Sequence, residues 1–220
     1  MSGGLPIDLI LFAMVAAFLV LRLRSILGRR TGFERPPQNE TTPGIGQTPP
    51  REPEALPPPQ PLAARGVPDP RSPAGQALLR VSDLDPAFDP AGFLAGAQGA
   101  FRMIVEAFAA GDRNTLRSLL SENAYADFEG VIAGREQAGE AQRTEIRAFQ
   151  EVAIEAVELR GSTVDITVRI VSDQVNVTTA RDGSIVAGAE AVTEITDIWT
   201  FQRDLRSSDP TWKLVGTQSA

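Results

Sequence analysis

Cysteine and histidine are both absent from the 220 residues. Without thiols there are no disulfides, no thiolate metal sites and no cysteine nucleophile. Without imidazoles there is no triad that uses a histidine base, and the side chain that most readily switches charge near neutral pH is missing. A glycine-rich phosphate loop, a metal-ligand spacing and a helix-turn-helix pattern are missing too. Aromatic residues make up only 6% of the chain, and positive charge is in the minority, with 21 Lys and Arg against 28 Asp and Glu. The acidic excess is concentrated after residue 88, where 12 basic residues face 20 acidic ones, a net −8. Nucleic acid and anionic membrane surfaces both repel such a domain. The expectation is a protein with no nucleic-acid partner, no metal, no cofactor and no assigned catalytic residue.

What is present begins with a long apolar run. Between Leu9 and Leu21 there is no charge, proline or glycine, and the apolar reach from Leu5 to Leu23 is 19 residues. A helix of that length spans roughly 28 Å, the thickness of a bilayer's hydrocarbon. Leu9, Phe12, Val15, Phe18 and Leu21 form its body, and Arg22 and Arg24 can snorkel from its last turn. Asp8 lies before the run, whereas Arg22, Arg24, Arg29 and Arg30 crowd after it. Positive charge stays on the cytoplasmic side, so the expected topology is single-pass, with the N-terminus outside and the rest of the chain cytoplasmic. A cleaved secretory signal would carry its charges before the apolar run and small residues after it, the reverse of what is seen. A buried core helix is disfavoured, because the segment that follows could not cover it.

That segment is a proline-rich spacer. Fourteen of the 17 prolines lie between Phe33 and Pro86, with Pro57-Pro58-Pro59-Gln60-Pro61 the densest stretch. It cannot bury enough apolar surface to offset the entropy of ordering it. The boundaries read as an anchor over 1–30, a disordered linker over 31–87 and a folded domain over 88–220. One apolar island, Gln76 to Val81, interrupts the linker as a helical turn or docking segment.

In the domain, Asp89-Pro90 reads as an N-cap with proline at the first helical position. The helix presents Phe93, Leu94, Ala97, Phe101, Ile104, Val105 and Phe108 at spacings of three and four. Gly111 ends it and Asp112 caps a short helix over Arg113–Leu120. A third helix follows Ser121, with a polar stretch from Arg135 to Gln142 that is exposed or a loop. After Ala141 the period becomes two. Glu145–Leu159 carries a parity shift that signals a bend or bulge. Val164, Ile166, Val168 and Ile170 form one face of the clearest strand, which Val175 and Val177 extend past a bend. Arg181-Asp182-Gly183-Ser184 is a hairpin turn, Glu190–Arg203 a third strand and Trp212–Val215 the last. Three helices before four antiparallel strands is an α+β pattern.

Phe93-Leu94-Ala95-Gly96-Ala97, Ala109-Ala110-Gly111-Asp112, Val168–Val175, Thr196-Asp197-Ile198-Trp199-Thr200-Phe201-Gln202-Arg203 and Asp209–Thr217 together resemble the C-terminal domain of the import-motor adaptor of the mitochondrial inner-membrane presequence translocase. They are similar above all to its membrane-anchored bacterial relatives of alphaproteobacterial type. The resemblance implies a cystatin-like, nuclear-transport-factor-like fold, with three helices on a cone of about four strands. It implies adaptor work at a bacterial inner membrane, in protein translocation or envelope biogenesis, and no enzymatic activity. The mitochondrial protein's helical N-terminal region is replaced here by the proline spacer, so its chaperone and translocase contacts do not carry over.

Phe101, Phe108, Tyr125, Phe128, Trp199, Phe201 and Trp212 are the candidate lining of a pocket or partner surface, set against the simpler reading that they fill the core. Asp127, Asp165, Asp197 and Tyr125 are the only residues proposed for a base in the pocket, and such a role needs burial and a facing donor. Arg169 and Arg203 read as surface or cross-strand ion pairs. The expected function is an adaptor or scaffold that binds a protein partner; the alternative is a binder of lipid or a small apolar ligand within the cone.

Overall fold

The computed structural model describes residues 65–219. The expected anchor over 1–30, with Leu9 to Arg24, and most of the expected linker lie outside the described residues. Among the described residues no helix is long and apolar enough to cross a membrane.

The folded unit starts earlier than the composition suggests. Helix α1 spans Pro73–Leu84. Ser72 caps it by accepting from the Gly75 N–H at 3.0 Å, and Pro73 supplies a preset φ in its first turn. Ala77, Leu78 and Val81 are buried, the latter two inside the main core. The linker expected to run to residue 87 therefore ends before α1, and four helices precede the sheet where three were expected. An apolar face of three residues amid prolines is too short to count as a helix until its packing partner is in place. Ahead of α1, the carbonyl of Gly66 accepts the Ile154 N–H at 2.9 Å. A Cβ at residue 66 would sit 1.9 Å from the Val152 carbonyl oxygen, so only glycine allows this approach.

Helix α2, Pro90–Ala110, opens under Asp89, whose carboxylate accepts from the N–H groups of Ala91 and Gly92 at 3.2 and 2.8 Å. It ends at Gly111, where φ is +73°. Asp112 caps α3, Arg113–Leu119, and Ser121 caps α4, Glu122–Ala138. The polar stretch after Arg135 is helical as far as Ala138. Arg135 donates to the Phe108 carbonyl at 2.5 Å, and Glu136 receives Arg113 at 2.8 Å, so these polar side chains tie α4 to α2 and α3.

The strands are β1 (Ala141–Arg160), β2 (Thr163–Thr179), β3 (Ile185–Asp204) and β4 (Lys213–Ser219). They form one antiparallel sheet in the order β1-β2-β3-β4. The bend or bulge expected in β1 is present and is one of three register shifts against β2. Val164, Ile166, Val168 and Ile170 are all fully buried and share a face with Val152, Ile154, Trp199 and Phe201. Phe93, Leu94, Phe101 and Ile104 of α2 pack onto that face, which locates the core between helices and sheet. The opposite face carries polar pairs: Arg169 with Glu151 at 2.5 Å, Thr167 with Thr200 at 3.1 Å, and Asp165 with Arg160 and Gln202.

Candidate functional site

The seven candidate aromatics separate into three settings. Phe101 and Trp199 are core residues, with ring centroids 4.5 Å apart. Phe108 and Phe128 pair edge to face at 5.1 Å between α2 and α4, and Tyr125 lies under the Arg117 guanidinium. Phe201 and Trp212 reach the wall of an open groove of about 470 Å³, where they join Phe88 and Phe93. Phe93 and Trp212 meet at 4.8 Å and Phe88 and Trp212 at 5.9 Å, so the wall is a continuous aromatic cluster.

Helix α2 supplies Phe93 to that cluster and otherwise adds little side-chain bulk to the groove: Gly92, Gly96 and Ala100 line it at intervals of four, followed by Met103, which is 47% exposed. At Gly96 a Cβ would meet nothing within 4 Å, so the space above that turn is open. Arg203 closes one end. Its guanidinium binds Asp85 at 3.2 Å and lies over the Trp212 ring, while its Nε is buried without a partner. The ion pair also fastens the end of α1 to β3. Phe88, Phe93, Gly92, Gly96 and Arg203 were not among the candidate site residues. The two glycines four apart inside a helix, Gly92 and Gly96, are the sequence signal that would have found this uncovered face, and the apolar periodicity does not register them.

A second polar locus lies further along the core-side face. Asp197 stands opposite Ile170, two residues before Trp199, and so points to the same side as both. Burial pushes its carboxyl up to about 6, and a hydrogen bond from the Gln174 amide works against that rise. Gln174 also donates to the Ser172 hydroxyl at 2.9 Å and accepts from the Asn176 amide at 3.2 Å, forming a chain of neutral polar groups along β2. Of the carboxylates considered as bases, Asp165 is the most buried, with the Gln202 amide donating to it at 2.7 Å, and Asp197 is partly buried with Gln174 as its donor. Asp127 is exposed, and Asp165 lies on the outer face in its pair with Arg160. Among the described residues no cluster of three or more Asp or Glu is placed to hold a metal.

A family model described as the Tim44-like domain matches residues 74–219, starting at α1 rather than at the expected domain start of 88. Among solved structures, the intermembrane space region of the chloroplast protein ARC6 is similar at 11% identity and a TM-score of 0.44, covering 61% of this chain and 98% of that one. No curated protein matches the sequence.

Proposed function

The chain belongs to the Tim44-like domain family, and from that premise we propose that it is a membrane-associated adaptor whose folded domain holds a protein partner in the groove between α2 and the aromatic wall. The observation that carries this reading is the uncovered α2 face. Gly92, Gly96 and Ala100 leave the helix backbone open to close approach, and Phe88, Phe93 and Trp212 supply the large rigid apolar contacts that dominate protein interfaces. The fine topology belongs to the same proposal: residues 5–27 anchor the chain once in a bacterial inner membrane, and the domain faces the cytoplasm in the service of translocation or envelope biogenesis.

No catalytic role is assigned. Asp197 is hydrogen-bonded by a neutral amide, and its chain of neighbours consists of amides and a hydroxyl. A fold alone does not confer an activity.

The test fills the groove. Gly96→Leu projects into open space from a helical position, so the domain should fold and gain helix propensity. A photocrosslinker at Met103 in intact membranes should trap a discrete partner in the parent chain and lose it in the Gly96→Leu form. Identical crosslinking in the two would refute the groove as the docking site.

A second reading, a bound lipid or small apolar ligand, is favoured by the groove's volume and by Arg203 at its end, since ligand sites combine apolar walls with a few placed polar groups. Native mass spectrometry of the full chain separates the two readings: a reproducible lipid adduct that Gly96→Leu removes supports the ligand.

A further inference from the structure

Among the described residues the Asp197 carboxylate has no cation partner. None of the nine ion pairs among the described residues includes it, and its hydrogen-bond donor is the neutral amide of Gln174. The strand register fixes its surroundings. On the same face, moving away from the core, Phe149 and Ile195 flank Ser172, and Ile146 and Thr193 flank Gln174. Ile146, Phe149, Ile195 and Asp197 are each only partly buried, whereas Ile170, Trp199 and Phe201 behind them are sealed. The sheet therefore presents a half-open apolar strip with one anionic group set into its polar centre line. An unpaired carboxylate in such surroundings costs free energy that a matching cation would relieve. Arg102 of α2, whose guanidinium lies over the Phe149 ring, is 3.9 Å from Glu106.

We propose that this strip seats an apolar segment of a partner protein through one lysine or arginine side chain, which ion-pairs with Asp197 while its neighbours pack on Ile146, Phe149 and Ile195. The proposal rests on the adaptor reading and adds a second contact surface to it, on the sheet rather than on α2. Charge complementarity sets the class of occupant. An anionic or purely apolar segment would leave Asp197 buried and unpaired, whereas a cationic side chain on an apolar stem satisfies both halves of the strip.

The experiment uses the full chain and two capped peptides, each of leucines around a single central residue, lysine in one and acetyl-lysine in the other. Binding is followed by the fluorescence of Trp199, the next side chain on this face, in a chain carrying Trp212→Phe. The lysine peptide should bind at least tenfold tighter than the acetyl-lysine peptide, the size expected when one partner of a desolvated charge pair is removed. That preference should vanish in Asp197→Asn, a near-isosteric change that removes a charge and no packing. Preference for lysine retained in Asp197→Asn, or absent from the parent chain, would overturn the proposal. So would an equal gain for n-octylamine over n-octanol with no gain between the peptides, which would assign the strip to a small amphiphilic amine. No lysine preference in the parent chain, with Met103 crosslinking intact, would sink this inference and leave the adaptor reading standing.

Discussion

Asp197 contributes to stability with the opposite sign to five other acidic groups of this domain. Its folded carboxyl titrates near 6, above the 3.8 of the unfolded chain, so the native state binds the proton more tightly in that interval. Its own contribution to stability is therefore most favourable below about pH 4, falls as pH rises towards 6 and is level above that. Asp112, Glu136, Asp182, Asp204 and Asp209 are held below their usual values, chiefly by hydrogen bonds from Thr115, Arg113, Ser184, Arg206 and Thr211. They act in the other direction and weaken the fold in acid. Comparing the parent chain with Asp197→Asn isolates the one group. The asparagine form should be more stable at pH 7 by up to about 3 kcal/mol, the free energy of a two-unit shift, with the gap closing below pH 4. Urea midpoints measured from pH 4 to pH 8 check this, and a gap independent of pH would show that burial of the charge is not its cause.

At the scale of elements, α1 is the piece whose status changed most. Leu78 and Val81 enter the core, Asp85 at its end binds Arg203, and Gly66 ahead of it bonds to β1. Removing α1 uncovers apolar surface on β1 and leaves Arg203 without its carboxylate. A chain beginning at residue 88 should therefore unfold at a clearly lower urea concentration than one beginning at residue 65. The loss should be several kcal/mol, since truncating a single buried leucine already costs about 2–5. Equal midpoints would mean that α1 rests on the domain without stabilising it. The starts of helices α2 to α4 were legible because each has a local cap, Asp89 with Pro90, Asp112 after Gly111, and Ser121, whereas the end of α4 at Gly139 was hidden by its polar last turn. Helix α1 has an N-cap in Ser72 but no C-terminal glycine, and its Leu79 and Leu84 face outward, which blurs the apolar face.

On the proposed reading of the whole molecule, attachment and recognition fall to different segments. The acidic domain, net −8 over residues 88–220, has no electrostatic reason to lie on an anionic bilayer, whereas residues 5–27 have the length and apolarity to cross one. Deleting residues 1–30 should release the protein into the soluble fraction. The shortened chain should stay in the supernatant when spun with protein-free vesicles of anionic phospholipid; pelleting with them would move membrane binding into the folded domain.

The α+β class, the order of helices before strands, the caps and the buried face of β2 are determined by sequence alone, because each depends on residues close together in the chain: Asp89 beside Pro90, or Val164 to Ile170 alternating with polar neighbours. The candidate site does not have that property. Phe93 and Trp212 are more than a hundred residues apart and become one wall only when α2 lies across β3 and β4. Asp197 looks like any acidic residue in a strand until the register with Ile170 turns it towards the core and away from water. Tertiary structure decided which aromatics fill the core and which remain open, because burial depends on what packs across a gap, and no short stretch of sequence contains both sides of that gap.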